Sequence, residues 1–227
     1  MSHDYCADQV RLYDYESYVL ILFAPAAKRE ALYAIHAFRI ELSRIKGLIR
    51  EPMMGLIRIQ WWRDAIEKLY QGEVLRHEVL QALAPVIKKY ALSSDDFTGL
   101  IDSYESDLEL FSYESLSQIK EQAIKKSLPL LHMECVILGK NIADDLLTVI
   151  GAGDVLSTEL MTDHRLKSYK EHIKIELIQL IKSAAAIRKN AIISLRLPLI
   201  KRRMKAVETG MEMPHGTLAF YLWLRSL

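Results

Sequence analysis

The chain has 227 residues, with 30 lysines and arginines against 29 aspartates and glutamates, a formal net charge of +1. That balance gives no bulk electrostatic case for nucleic-acid binding. Its nine glycines and six prolines are roughly 7 % of the residues where average usage is about 12 %, too few breakers for a many-stranded sandwich or barrel.

A hydrophobic content of 51 % beside 26 % charged residues excludes disorder and supports a real core. The length suits one domain over residues 1–227. Cys6 and Cys135 lie far apart without a CxxC neighbour, so no zinc cluster is readable and a reduced interior is the default. Met1-Ser2-His3-Asp4-Tyr5 has neither the basic nor the apolar segment of a signal peptide. The longest apolar run, Tyr18 to Ala27, is about half of a membrane span. A cytoplasmic location, peripheral to the inner membrane at most, is expected.

Helical periodicity dominates from there on. Pro25 suits a first turn, and Leu32, Ile35, Phe38, Leu42 and Ile45 recur at three- and four-residue spacing, with Gly47 as the stop. A second helix is predicted from Met53 to Gln71, burying Ile59, Trp62, Ile66 and Leu69 and ending at Gly72. A third covers His77 to Leu92. Ser93-Ser94-Asp95-Asp96 caps the next, which ends near Leu110. Ser115 to Leu138 reads as a long helix with Pro129 as a kink and Gly139 closing it.

Asn141 is the predicted cap of a stretch reaching Leu160, which Gly151-Ala152-Gly153 weakens. Tyr169, Ile173, Leu177, Leu180, Ile181 and Ala184 give a helix over Leu166–Lys189, and Ala191 to Val207 is basic and interrupted by Pro198. Thr217 to Leu227 forms a short closing helix. The fold class is all-α.

Candidate chemistry is sparse. Acids four apart share a helix face and hold Mg²⁺ through oxygen ligands, a spacing found in Asp4/Asp8 and in Glu159/Asp163, with Arg165 nearby as a phosphate partner. Such pairs are more often solvated surface, as is Asp144-Asp145. His36 and His132 have no HExxH spacing and read as satisfied buried or boundary histidines. In Trp61-Trp62-Arg63-Asp64, Trp62 is placed in the core, Trp61 at its boundary and the two charges in water. The run Arg196, Lys201, Arg202, Arg203, Lys205 reads as a solvated face, with an anionic membrane contact as the alternative.

Leu20 to Gln71 carries a resemblance. Phe23-Ala24-Pro25, Arg29, Ala37-Phe38, Glu41, Glu51-Pro52, Gly55 and the block Arg58-Ile59-Gln60-Trp61-Trp62-Arg63-Asp64 resemble the squalene/phytoene synthase family, which joins two isoprenoid diphosphates head to head. Weaker similarity runs through Leu130-Leu131 to Leu138-Gly139 and returns in Tyr221-Leu222-Trp223-Leu224-Arg225. Within the family the chain is most similar to bacterial relatives of a mitochondrial complex I assembly factor. The resemblance implies a single-domain helical bundle of the isoprenoid (terpenoid) synthase type.

The family's two aspartate-rich motifs bind Mg²⁺ to the substrate diphosphates, and the metal clamps the charge of the departing group. The resemblance places the first motif at Ser43-Arg44-Ile45-Lys46-Gly47, where Ser43 and Gly47 stand at the aspartate positions. It places Met161-Thr162 at the Arg-Asp of the second, and Gln122 at a family tyrosine. Family members are usually some tens of residues longer. The missing segment lies between Asp163 and Tyr169, which shortens the C-terminal half and opens one wall of the substrate tunnel.

Two readings follow. In the first the protein is non-catalytic, needs no cofactor, and binds an isoprenoid or lipid ligand or a protein partner such as a respiratory complex subunit. In the second it is an Mg²⁺-dependent prenyltransferase using Glu41, Glu159 and Asp163. Arg39, Glu41, Arg44, Arg58 and Trp62 are the expected ligand contacts on the resemblance. The lost acids favour the first reading.

Overall fold

A segment whose only polar side chains in eight residues are Tyr33 and His36, Ala31 to Phe38, has no charged face to offer water, and the protein buries it whole. It lies in α3 (Ala26–Leu48), the central helix of the N-terminal region. The computed structural model describes residues 2–48, 51–110, 112–184 and 191–209. In chain order the other elements are α1 (Ser2–Tyr13), α2 (Tyr15–Leu22), α4 (Pro52–Tyr70), α5 (Glu78–Tyr90), α6 (Ser94–Glu109) and α7 (Leu116–Leu138). Then follow α8 (Asp144–Thr162), a 3₁₀ turn (His164–Tyr169), α9 (Lys170–Ala184) and α10 (Ala191–Thr209). Every regular element among the described residues is helical, as the periodicity requires.

Several boundaries follow local chemistry. Ser93 Oγ accepts from the Asp95 amide at 3.1 Å and starts α6. Pro52 opens α4, and Gly72 (φ 92°) and Gly139 (φ 66°) take the left-handed conformation past the ends of α4 and α7. Ala91 does the same after α5, at φ 51°, without glycine's freedom. Exposed Ala91→Gly is therefore expected to stabilise the protein by about 0.5–1 kcal/mol, read as a raised urea midpoint.

Other boundaries differ from the sequence reading. Gly47 lies inside the last turn of α3 and does not stop it. Ala143, not Asn141, is the N-cap residue of α8, and no side chain caps it. Gly151-Ala152-Gly153 is buried inside α8, where an added Cβ on Gly153 would come within 3.0 Å of Ile200 Cδ1. This is close packing rather than a break. The stretch after Asp163 begins as the 3₁₀ turn, because the Asp163 carboxylate accepts from the Arg165 amide at 2.9 Å and sets a tight start. Pro198 sits within α10 and does not interrupt it. Helices α1 and α2 have no counterpart among the predicted elements. The predicted continuation over 185–189 and the closing helix Thr217–Leu227, with the matching Tyr221–Arg225, lie outside the described residues.

The chain divides into two compact units, Met1–Leu110 with Pro129–Asn141, and Phe111–Leu128 with Ile142–Leu227. In the first unit α3 packs against α1, α2, α4, α5 and α6. Phe38 has no exposed surface, with the rings of Trp62 and Phe97 each 5.4 Å from its own. His36 of the buried run meets Glu134 of α7 at 2.8 Å, and His132 meets Asp96 at 3.2 Å. Each histidine is held through one ring nitrogen, whereas the expected full satisfaction fails at the other: His36 Nδ1 and His132 Nε2 are buried without a hydrogen bond among the described residues. Arg63, assigned to water from sequence, bridges α4 to α6 through Asp102 and Glu105, each at 2.6 Å.

In the second unit α8 packs on α9 and α10. Leu147, Ile150, Leu156, Ile173, Leu177, Leu199 and Ile200 form its apolar core. The basic run of α10 is not a solvated face. Lys201 and Lys205 are exposed, but Arg196, Arg202 and Arg203 are buried. Asp154 of α8 receives Arg196 Nε at 3.0 Å and Arg203 Nη1 at 2.6 Å. Burial alone would raise the Asp154 carboxyl, but the two guanidiniums outweigh it and hold the pKa at about 2. Among the described residues no helix is long and apolar enough to cross a membrane.

Candidate functional site

The first unit holds a pocket of about 200 Å³ built by three helices. From α3 come Glu41, Ile45 and Leu48, spaced i, i+4 and i+7 and therefore on one face. From α4 come Arg58, Trp61 and Trp62, and His77, the N-cap residue of α5, closes the wall. Trp62 stands edge-on to both Trp61 and His77, each ring 4.9 Å away. His77 Nδ1 accepts from the Val79 amide at 3.2 Å, which fixes the imidazole.

Two opposite charges share this aromatic lining. Neither the Glu41 carboxylate nor the Arg58 guanidinium makes a hydrogen bond or ion pair with another described residue. The volume lies below the roughly 300–1,000 Å³ of ordinary ligand sites, room for one small head group or one side chain. Leu48 and Trp61 of the lining, and Met53, Met54 and Ile57 elsewhere on α4, are each more than 40 % exposed. On α4 the spacing of Met53, Ile57 and Trp61 makes them one apolar stripe.

Of the ligand contacts expected from sequence, Glu41, Arg58 and Trp62 meet in this pocket, while Arg39 and Arg44 do not line it. Arg39 Nη2 donates to Asp14, the N-cap residue of α2, which also accepts from the Ser17 amide at 3.0 Å. Burial pushes the Asp14 carboxyl up, but Arg39 and His36 pull it below its usual range. The Arg44 guanidinium lies 3.9 Å from the Tyr13 ring centre. Ser43 Oγ turns back to the Ile40 carbonyl at 2.9 Å, and Lys46 donates to the Asp107 carbonyl at 3.0 Å.

In the second unit Glu159 Oε1 receives the buried Lys126 ammonium at 2.6 Å, and Asp163 receives Arg165, with Nε 2.9 Å from Oδ2. Both carboxylates thus carry cations of their own chain. Arg165, the candidate phosphate partner, also lies over Tyr113, its guanidinium 5.0 Å from the ring centre. Gln122 is buried. Asp4 falls outside the side chains the structure describes. Among the described residues no three His, Cys, Asp or Glu side chains cluster so as to hold a metal ion.

Sequence reasoning missed His77 and Trp61 as lining groups. The i, i+3, i+4 spacing of Arg58, Trp61 and Trp62 was available as a signal. His77 had none, because it reaches the site from another helix. Cys6, 1 % exposed, is pushed up to about 12, first by burial and then by Glu41 and Glu78. Iodoacetamide at pH 8 is expected to leave Cys6 unmodified in the folded chain and to alkylate it in urea, read by mass spectrometry.

A sequence profile described as Squalene/phytoene synthase matches residues 10–156. The chain belongs to this family. Its first unit carries most of the match, and the pocket lies inside it. Family relatives include proteins named NADH dehydrogenase (ubiquinone) complex I, assembly factor 6. The Mus musculus protein is 32 % identical over 138 residues, 61 % of this chain and 41 % of the relative. The Homo sapiens protein is 29 % identical over 135 residues, 60 % of this chain and 40 % of the relative. The chain thus spans about two-fifths of the length of these curated relatives.

Two solved family structures are similar in fold. A dehydrosqualene synthase crystallised with ligand aligns with a TM-score of 0.81 at 12 % identity, covering 100 % of this chain and 97 % of that one. Squalene synthase HpnC from Alicyclobacillus acidocaldarius aligns at 0.66 and 14 % identity, covering 99 % and 89 %. At such identity these likenesses establish the isoprenoid synthase fold and nothing further.

Proposed function

We propose that this protein is a non-catalytic member of the squalene/phytoene synthase family that acts on a protein partner in the assembly of a respiratory complex I. What carries the reading is the state of the candidate carboxylates. Glu159 and Asp163 are each neutralised by a cation of the same chain, Lys126 and Arg165. At the first motif, where the family resemblance expects aspartates, Ser43 is bonded to its own helix and Lys46 to Asp107.

Mg²⁺ asks for near-octahedral oxygen ligands, with carboxylates among them. These residues do not fit it. A metal at Glu159 would have to compete with Lys126, whose buried ammonium already lies 2.6 Å from Oε1. No catalytic step is therefore derived through the ion. The names of the relatives at about 30 % identity support the assembly role, with a complex I subunit as the partner class.

Purified protein incubated with farnesyl or geranylgeranyl diphosphate and Mg²⁺ is expected to give no squalene- or phytoene-type product. Any such product revives the prenyltransferase reading. Cells lacking the gene are expected to show less assembled complex I on native gels, and unchanged assembly sinks the assembly role.

A further inference from the structure

We propose that the pocket lined by Glu41, Arg58, Trp61 and His77 binds the zwitterionic ammonium–phosphate headgroup of a membrane phospholipid, with the exposed face of α4 resting in the bilayer surface. This goes beyond the assembly role and does not depend on it. The lining supplies both halves of such a headgroup. Glu41 offers a carboxylate without a partner among the described residues, beside two indoles whose electron-rich faces attract ammonium groups. Arg58 offers a guanidinium, equally without a partner among the described residues, in a geometry suited to phosphate oxygens.

The cavity of about 200 Å³ corresponds to roughly seven water volumes, a headgroup's size and not that of two prenyl chains. The mouth decides where the ligand comes from. Leu48 and Trp61 of the lining are exposed, and Met53 and Ile57 continue the apolar stripe of Trp61 along α4; a tryptophan between apolar and polar surroundings suits the bilayer interface. A free zwitterionic metabolite would give no reason for that stripe.

Charge complementarity also selects the lipid. A net charge of +1 supplies no long-range attraction to an anionic surface. The basic run of α10, the one such contact the sequence offered, commits Arg196 and Arg203 to Asp154. One carboxylate and one guanidinium together match a neutral headgroup instead.

The test is flotation of the full chain with extruded vesicles of phosphatidylglycerol alone, and of phosphatidylglycerol mixed equally with phosphatidylethanolamine or with phosphatidylcholine. At least tenfold greater partition onto the mixed vesicles is expected. Glu41→Gln, Arg58→Ala and Trp61→Ala should each bring it down to the phosphatidylglycerol level. Met53→Ser with Ile57→Ser should lower binding to every vesicle. All these positions except Glu41 are surface-exposed, so the variants should keep the wild-type circular dichroism and melting profile.

Equal binding to all vesicles, preference for phosphatidylglycerol, no flotation, or folded pocket variants that bind as wild type each overturn the proposal. Saturation by soluble phosphoethanolamine without any vesicle binding also overturns it, because the ligand would then be a free zwitterion. Failure here leaves the complex I assembly result unaffected, and the two readings fail separately.

Discussion

Replacing Asp154 with leucine is expected to destabilise the protein by about 3–5 kcal/mol and to lower the melting temperature by roughly 10 °C. The cause is not the loss of two hydrogen bonds. Arg196 is 3 % exposed and Arg203 9 %, and Asp154 is the acid that faces both of them. Without it two buried guanidiniums lose the carboxylate that both of them bind. Urea denaturation of the variant and the parent at pH 7 measures the difference, and a cost below about 1 kcal/mol would show these ion pairs to be solvated.

The same carboxylate sets an acid limb. Its folded pKa of about 2 lies below the ordinary aspartate value of 3.8, so the unfolded chain takes up its proton first as pH falls. The stabilisation is fully present above about pH 4 and is lost as pH drops through about 2. From the size of the shift it amounts to about 2 kcal/mol. The leucine variant should lack this component, so its disadvantage relative to the parent should shrink between pH 4 and pH 2.

Phe38→Ala is the second large effect, expected to cost about 3–5 kcal/mol. Phe38 has no exposed surface and holds Trp62 edge-on and Phe97 tilted against it. Its removal leaves a cavity that α3 and α4 cannot close without moving Trp62, a wall of the pocket. Phe38→Leu keeps most of the volume and should cost less than half as much. Calorimetry or urea unfolding ranks the two variants, and equal stability of Phe38→Ala and parent would remove Phe38 from the core. Loss of headgroup binding in folded Phe38→Leu would report the displacement of Trp62.

What the chain makes legible from sequence is mostly local. Ile59, Trp62, Ile66 and Leu69 were assigned to the core on spacing alone, and all four are buried. Ser93 as a cap and Gly72 and Gly139 as stops were readable because capping involves only neighbours in the chain. Helix α1 is hard to see in the sequence because Ser2 to Tyr13 is mostly polar, although its few apolar residues share one face. Its helix holds because Cys6 and Val10 pack into the first unit. The α10 arginines read as solvated in the sequence because nothing nearby in the chain signals Asp154, the acid that α8 places among them.

For the site, Glu41, Arg58 and Trp62 came forward through the family resemblance and do share a pocket, while Arg39 and Arg44 came forward with them and serve Asp14 and Tyr13. Sequence spacing cannot separate these cases, because the partner of each side chain sits on another helix.

The sequence by itself determined an all-α chain, its helix boundaries to within a turn or so in most places, and its family. Backbone hydrogen bonding and apolar periodicity act over three or four residues, so a short window contains their causes. Only the tertiary structure decided which charges are structural and which are left to meet a ligand. Glu159, Asp163, Arg196 and Arg203 are committed within the chain, whereas Glu41 and Arg58 face an aromatic pocket without a described partner. Desolvation and Coulomb attraction depend on what packing brings within a few ångströms, and distance along the chain does not encode that.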